Sequence, residues 1–248
     1  MGQLGLRGNS RPRLFAERSS APDLVPSFEG VHLLGVPYGL NEDDGASAPV
    51  KSAFRYNPPM LILASASPRR QELLRSAGIE FVVQPANVVE DVVPGESPEA
   101  CAQRLATAKA RAVFNQHATN QVLGADTIVV IGTEILGKPA DAEDAARMLR
   151  LLSGREHRVI TGVCLLTPGQ PPREDVRYEI TRVTMTILTD QEIADYIAHG
   201  EPMDKAGAYA IQGLASRWIP RIEGCYFNVV GLPIPLVYSM LRVGRTAA

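Results

Sequence analysis

The sequence predicts an α/β fold, a mixed twisted sheet flanked by helices. Three observations carry the expectation. Strand-length apolar runs alternate with helix-period patterns from Met60 onward, the junctions carry cap and turn residues, and no internal repeat interrupts the alternation.

The elements follow in order. Residues 60–64 read as a first buried strand, after which Ser67 can cap a helix with Pro68 in its first turn and Gly78 at its end. Residues 80–83 form a second strand. Ser97-Pro98 opens another helix, in which Cys101, Leu105, Ala108 and Ala112 make one apolar stripe facing the core. Residues 122–131 are a strand interrupted by polar Asp126-Thr127, and Asp141 caps a helix that runs to Leu152 and closes at Gly154. Strands are expected at 158–166 and 178–188, then a short helix from the capping box Thr189-x-x-Glu192 to Gly200. A strand near 217–230 and a last helix after Pro233 complete the pattern.

Residues 1–59 differ in character. They hold seven Pro and seven Gly, nearly twice the density of the rest, and six basic and six acidic side chains without periodicity. Such a segment cannot bury enough apolar surface to order itself, so 1–59 is expected to be a disordered extension and 60–248 the folded domain. Met60 opens directly into Leu61-Ile62-Leu63, which points to Met60 as the natural start of translation.

Composition narrows the function. The chain of 248 residues is 45% hydrophobic and 21% charged, with a formal net charge of -2. That charge supplies no general field for a nucleic acid or an anionic membrane, so phosphate affinity must come from a local basic cluster. Cys101, Cys164 and Cys225 are odd in number and far apart, which argues against disulfides and zinc and for a reducing, cytoplasmic compartment. No apolar run reaches the roughly 18 to 20 residues of a membrane span. His32, His117, His157 and His199 lack metal-ligand spacing.

Several stretches can carry chemistry. Ala64-Ser65-Ala66-Ser67-Pro68-Arg69-Arg70 places hydroxyls and two guanidinium groups at a helix start, where unpaired N–H groups favour an anion. In isolation it also reads as a capped helix with two solvated arginines. Gly124-Ala125-Asp126-Thr127 puts a carboxylate inside an apolar strand, where it must be paired, bound to metal or at work in a cleft. Gly137-Lys138-Pro139 offers a point charge on a turn. The loop 204–213 carries Asp204, Lys205 and Gln212, whose amide can both donate to and accept from a base. Glu90-Asp91 can supply oxygen ligands to Mg²⁺ or simply be solvated.

In order and separation these stretches resemble the Maf-type nucleotide pyrophosphatases across residues 60–242. The likeness rests on the run Leu63 to Leu74, on Gly124-Ala125-Asp126-Thr127 with Lys138-Pro139, and on residues 204–213 with Ala208-Tyr209-Ala210-Ile211-Gln212-Gly213. It implies a two-lobed, inosine-triphosphatase-like fold with the site in a cleft. It also implies Asp126 as proton acceptor, with Glu90 and Lys138 in the active site and Mg²⁺ or Mn²⁺ held by Glu90 and Asp126. Ser65, Ser67, Arg70, Lys138 and Lys205 would bind the phosphates of a nucleoside triphosphate. Arg69, Thr127 and Gln212 would select dTTP and UTP. The implied role is house-cleaning of modified nucleotides with a link to division arrest, without stable nucleic-acid or membrane binding; a homodimer is left open. Two alternatives stand beside it, a pyrophosphatase for modified purines such as 7-methyl-GTP or ITP, and a non-catalytic division-regulating, nucleic-acid-binding protein.

Overall fold

The structure, a computed structural model, describes residues 60–243. The expectations for residues 1–59, including the disordered extension and the start at Met60, lie outside the described residues. Seven strands form one mixed sheet. Leu61–Leu63 (β1) runs parallel to Val82–Val83 (β2) on one side and to Gln121–Ile131 (β3) on the other. Beyond β3, Glu156–Thr167 (β5), Arg173–Thr184 (β6) and Arg221–Glu223 (β7) follow antiparallel, giving the order β2-β1-β3-β5-β6-β7. Glu134–Leu136 (β4) folds back antiparallel on the far end of β3.

This pairing leaves a gap. On the edge of β3 away from β5, β1 covers residues 121–123 and β4 covers 129–131, so residues 124–128 meet no strand there. Backbone groups and side chains at that gap are available to other partners.

Side chains alternate across a strand, so β3 serves both faces of the sheet. Val122, Ile128 and Val130 lie under the helix Pro98–Phe114 (α2). On the other face, Leu123 and Ala125 pack with Pro68–Ser76 (α1) and Ile234–Val243 (α6). Val129 belongs instead to a core with Ala142–Leu152 (α3) and Asp190–Ala198 (α4). Between these two cores the paired residues Thr127 and Thr161 meet through their hydroxyls, 3.0 Å apart.

Helix α2 sits directly on the backbone of the sheet because two strand residues lack side chains. A Cβ on Gly124 would lie 2.2 Å from the Ala106 carbonyl oxygen, and one on Gly162 would lie 2.2 Å from that of Ala102.

Local capping follows the sequence closely. Ser97 accepts from the Ala100 N–H, Asp141 from the Asp144 N–H, and Thr189 and Glu192 form both halves of the capping box. Gly78 and Gly154 follow their helices with φ of 66° and 68°, left-handed backbone that glycine adopts without penalty.

Four expectations need correction, and one strand is new. Ser67 precedes α1 but its side chain caps nothing; its N–H instead bonds Ser65 Oγ. The buried row of α2 is Ala102, Ala106, Lys109, Ala110 and Val113 beside Cys101 and Leu105, with Ala108 and Ala112 only half-buried. The apolar pattern misplaced it because a lysine occupies its centre. Strand β6 spans Arg173–Thr184 rather than 178–188, since it pairs with β5 along its whole length whatever the polarity of its side chains. The strand expected near 217–230 shrinks to β7, between a 3-10 turn at Leu214–Trp218 and the helix Tyr226–Val230 (α5). There β6 offers pairing only at residues 182–184, and the Thr181 hydroxyl bonds both the N–H and the carbonyl of Cys225, turning the chain away. Strand β4 was not anticipated, being three residues long.

Candidate active site

A carboxylate within an apolar strand demands a partner, and Asp126 finds one on α2. Asp126 points to the α2 face at the gap in β3, and Lys109 Nζ stands 2.6 Å from its Oδ1. The segment after β2 brings Glu90 Oε1 to the same ammonium, also at 2.6 Å. Lys109 and Asp126 are only 9% and 7% exposed, a burial neither charge tolerates without the other. Burial pushes the Glu90 carboxyl upward, but the Lys109 hydrogen bond and charge, with the charges of Lys138 and Arg70, outweigh it and hold its pKa below the ordinary value. Sequence reasoning missed Lys109. The signal was there, as a lysine inside a buried helical row and a carboxylate inside a buried strand are two unmatched charges of opposite sign.

Arg70 fills the gap from the other face. Its Nε donates to Gly231 O (2.8 Å), its Nη1 to Ser65 Oγ (3.1 Å) and Ala125 O (2.7 Å), and its Nη2 to Thr127 Oγ1 (3.0 Å). Four of the five guanidinium donors are thereby spent on protein. The Thr127 hydroxyl in turn donates to Gly231 O at 3.2 Å. Burial pushes the Arg70 pKa down, while the charges of Asp126 and Glu90 oppose that shift.

The neighbouring Arg69 has a different setting. Its Nη1 lies 3.4 Å from Asp204 Oδ2, and Asp204 also pairs with Lys205, whose Nζ donates to Glu201 O at 3.1 Å. The Gly207 N–H donates to Gly137 O, tying the loop 204–213 to the turn that carries Lys138.

The ten residues to which the resemblance gives roles line one cleft of about 430 Å³: Ser65, Ser67, Arg69, Arg70, Glu90, Asp126, Thr127, Lys138, Lys205 and Gln212; Asp91, offered beside Glu90 as a metal ligand, is not among the residues lining it. Lys109 and Asp204 join them. Five basic side chains thus face three carboxylates, so the cleft carries the local positive excess that the chain's net charge of -2 does not provide. Its size suits one small ligand. Among the described residues no helix is long and apolar enough to cross a membrane.

Comparison with known proteins bears on this cleft. The family model for Maf-like protein matches residues 60–243. The dTTP/UTP pyrophosphatase of Koribacter versatilis (strain Ellin345) is 60% identical over 190 residues, covering 76% of this chain and 97% of that protein. That of Syntrophomonas wolfei subsp. wolfei (strain DSM 2245B / Goettingen) is 52% identical over 179 residues, covering 72% and 94%. Among solved structures, a HAM1 protein from Coxiella burnetii aligns with a TM-score of 0.37 and 20% identity, over 52% of this chain and 73% of that one. With its family match spanning the whole described domain and relatives matched nearly end to end, the chain belongs to the Maf-like family.

Proposed function

We propose that this chain hydrolyses nucleoside triphosphates, dTTP and UTP foremost, to the monophosphate and pyrophosphate. The observation that carries the proposal is the convergence of Asp126 and Glu90 on Lys109 in a cleft with an excess of basic side chains. A triphosphate is the kind of polyanion such a cleft attracts. The two nucleotides come from the names of the relatives, whose lengths this chain spans almost completely.

Lys109 engages Asp126 Oδ1. Asp126 Oδ2 is then the atom to accept a proton from the attacking water. The water oxygen bonds to the α-phosphorus, the bond from that phosphorus to the α–β bridging oxygen breaks, and pyrophosphate departs with the electron pair. Arg69, Lys138 and Lys205 counter the charge on the phosphate oxygens, and Ser65 and Ser67 stand at the start of α1 where its free N–H groups favour an anion. Arg70 and Thr127 shape the gap in β3 by holding it to Gly231. Gln212, exposed on the cleft, reads the base.

Among the described residues no group of three or more His, Cys, Asp and Glu side chains forms a metal cage. Glu90 and Asp126 nevertheless approach a common cation, and two carboxylates completed by phosphate and water oxygens are a donor set that suits Mg²⁺ or Mn²⁺. An ion held there would polarise the phosphoryl oxygens.

Pyrophosphate release from dTTP, UTP, CTP, GTP, ITP and 7-methyl-GTP, with either metal, tests the proposal. Preference for dTTP and UTP with monophosphate as co-product supports it. Activity confined to purines, or none at all, overturns it.

A further inference from the structure

Beyond the cleft's own side chains, one buried polar pair has no part in the mechanism above. His157 on β5 is 2% exposed, and its Nε2 lies 2.8 Å from Tyr209 Oη, with the two rings edge to face at 5.3 Å. Its other nitrogen, Nδ1, is buried without a partner. An unsatisfied buried nitrogen is costly, and an apolar ring would fill the same core without it. The only side-chain hydrogen bond of His157 among the described residues is the one to Tyr209.

Tyr209 sits at the centre of the loop 204–213 and lines the cleft between Lys205 and Gln212. The residue before it, Ala208, holds φ at 59°, the single non-glycine residue with positive φ among those described. A side-chain-bearing residue keeps that conformation only where its surroundings impose it. The surroundings are identifiable: Gly207 is tied to Gly137, the Ala210 N–H donates to Tyr196 Oη, and Tyr209 is held by His157. Burial keeps the Tyr209 hydroxyl protonated and pushes the His157 pKa down to about 4, so the pair meets as two neutral groups.

We infer that His157 is a positioning residue for nucleotide selection, acting through Tyr209 to set the loop that presents Lys205 and Gln212. The inference rests on the proposed function, in which that loop touches the nucleotide. It predicts a defect in binding and selectivity rather than in the chemical step.

The experiment compares full-length wild type with Tyr209→Phe, His157→Leu and His157→Gln for UTP, dTTP and CTP hydrolysis. A buried control, Val113→Ala on α2, reports the effect of lost stability alone. Tyr209→Phe and His157→Leu should raise KM for UTP about fivefold or more, keep kcat within about twofold and lower discrimination against CTP, as loss of substrate binding does. His157→Gln, whose amide nitrogen reaches the position of Nε2, should restore most of the loss, and Val113→Ala should lower Tm without moving KM. Tyr209→Phe keeps the ring and decides the matter if His157→Leu does not fold. An active wild type whose Tyr209→Phe variant keeps KM and selectivity overturns the positioning role alone. A wild type inactive on UTP and dTTP overturns the proposed function with it.

Discussion

Lys109 Nζ lies 2.6 Å from Asp126 Oδ1, joining the centre of α2 to the open edge of β3. Because Asp126 is buried and Lys109 is its ion-pair partner, removing Lys109 leaves a buried carboxylate unpaired. Lys109→Met is expected to destabilise the fold by about 3–5 kcal/mol, read from urea unfolding. It should also depress kcat, since Asp126 and Glu90 then face one another without the intervening cation.

Asp126→Asn keeps the shape and a hydrogen-bonding side chain beside Lys109 but removes the base. Turnover of the preferred nucleotide should fall about 10²-fold or more, measured as pyrophosphate release at saturating substrate. Normal turnover would end the assignment of Asp126 as proton acceptor.

Arg69 and Arg70 are adjacent in sequence and should behave oppositely. Arg69 makes only an exposed contact to Asp204, so Arg69→Ala should change stability by less than about 0.5 kcal/mol while raising KM. Arg70 holds Gly231, Ala125, Ser65 and Thr127 together. Arg70→Ala should cost about 3 kcal/mol or more, because buried acceptors lose a charged donor. Paired denaturation curves and Michaelis plots separate the two effects.

Gly162→Ala tests the seating of α2. The new methyl would meet the Ala102 carbonyl oxygen at 2.2 Å, a backbone atom that can yield only if the helix moves. A loss of about 1–3 kcal/mol is expected, with reduced activity as Lys109 shifts from Asp126. A Tm and a kcat both equal to wild type would show that α2 is free to slide.

The His157 imidazole gives stability a pH dependence of definite sign. Burial lowers its pKa from 6.5 to about 4, so on acidification the unfolded chain takes up the proton before the folded one does. The associated stability is present above pH 6.5 and is lost as pH falls toward 4, by up to about 3 kcal/mol. Urea midpoints from pH 7 to pH 4 should therefore fall more steeply in wild type than in His157→Gln. Parallel profiles would contradict the assignment.

How much was legible follows from the range of the forces involved. Ser97, Asp141 and the Thr189–Glu192 box cap helices through partners three residues away, and Gly78 and Gly154 act through their own backbone, so each was readable locally. The cleft side chains were readable as polar residues where an apolar element or a helix start needs a reason for them. Their convergence was implied by a resemblance and not by spacing.

By itself, then, the sequence determined the alternation of strands and helices, most of their caps, and the residue types from which an anion site can be made. Only the tertiary structure decided that β1 and β4 leave residues 124–128 of β3 uncovered, that Lys109 belongs to the buried row of α2, and that the Arg70 Nε–H donates to Gly231, 161 positions away. The physical reason is that capping and backbone preference are short-range properties of the chain. A buried charge or an open strand edge acquires its meaning only from whatever distant segment arrives to satisfy it.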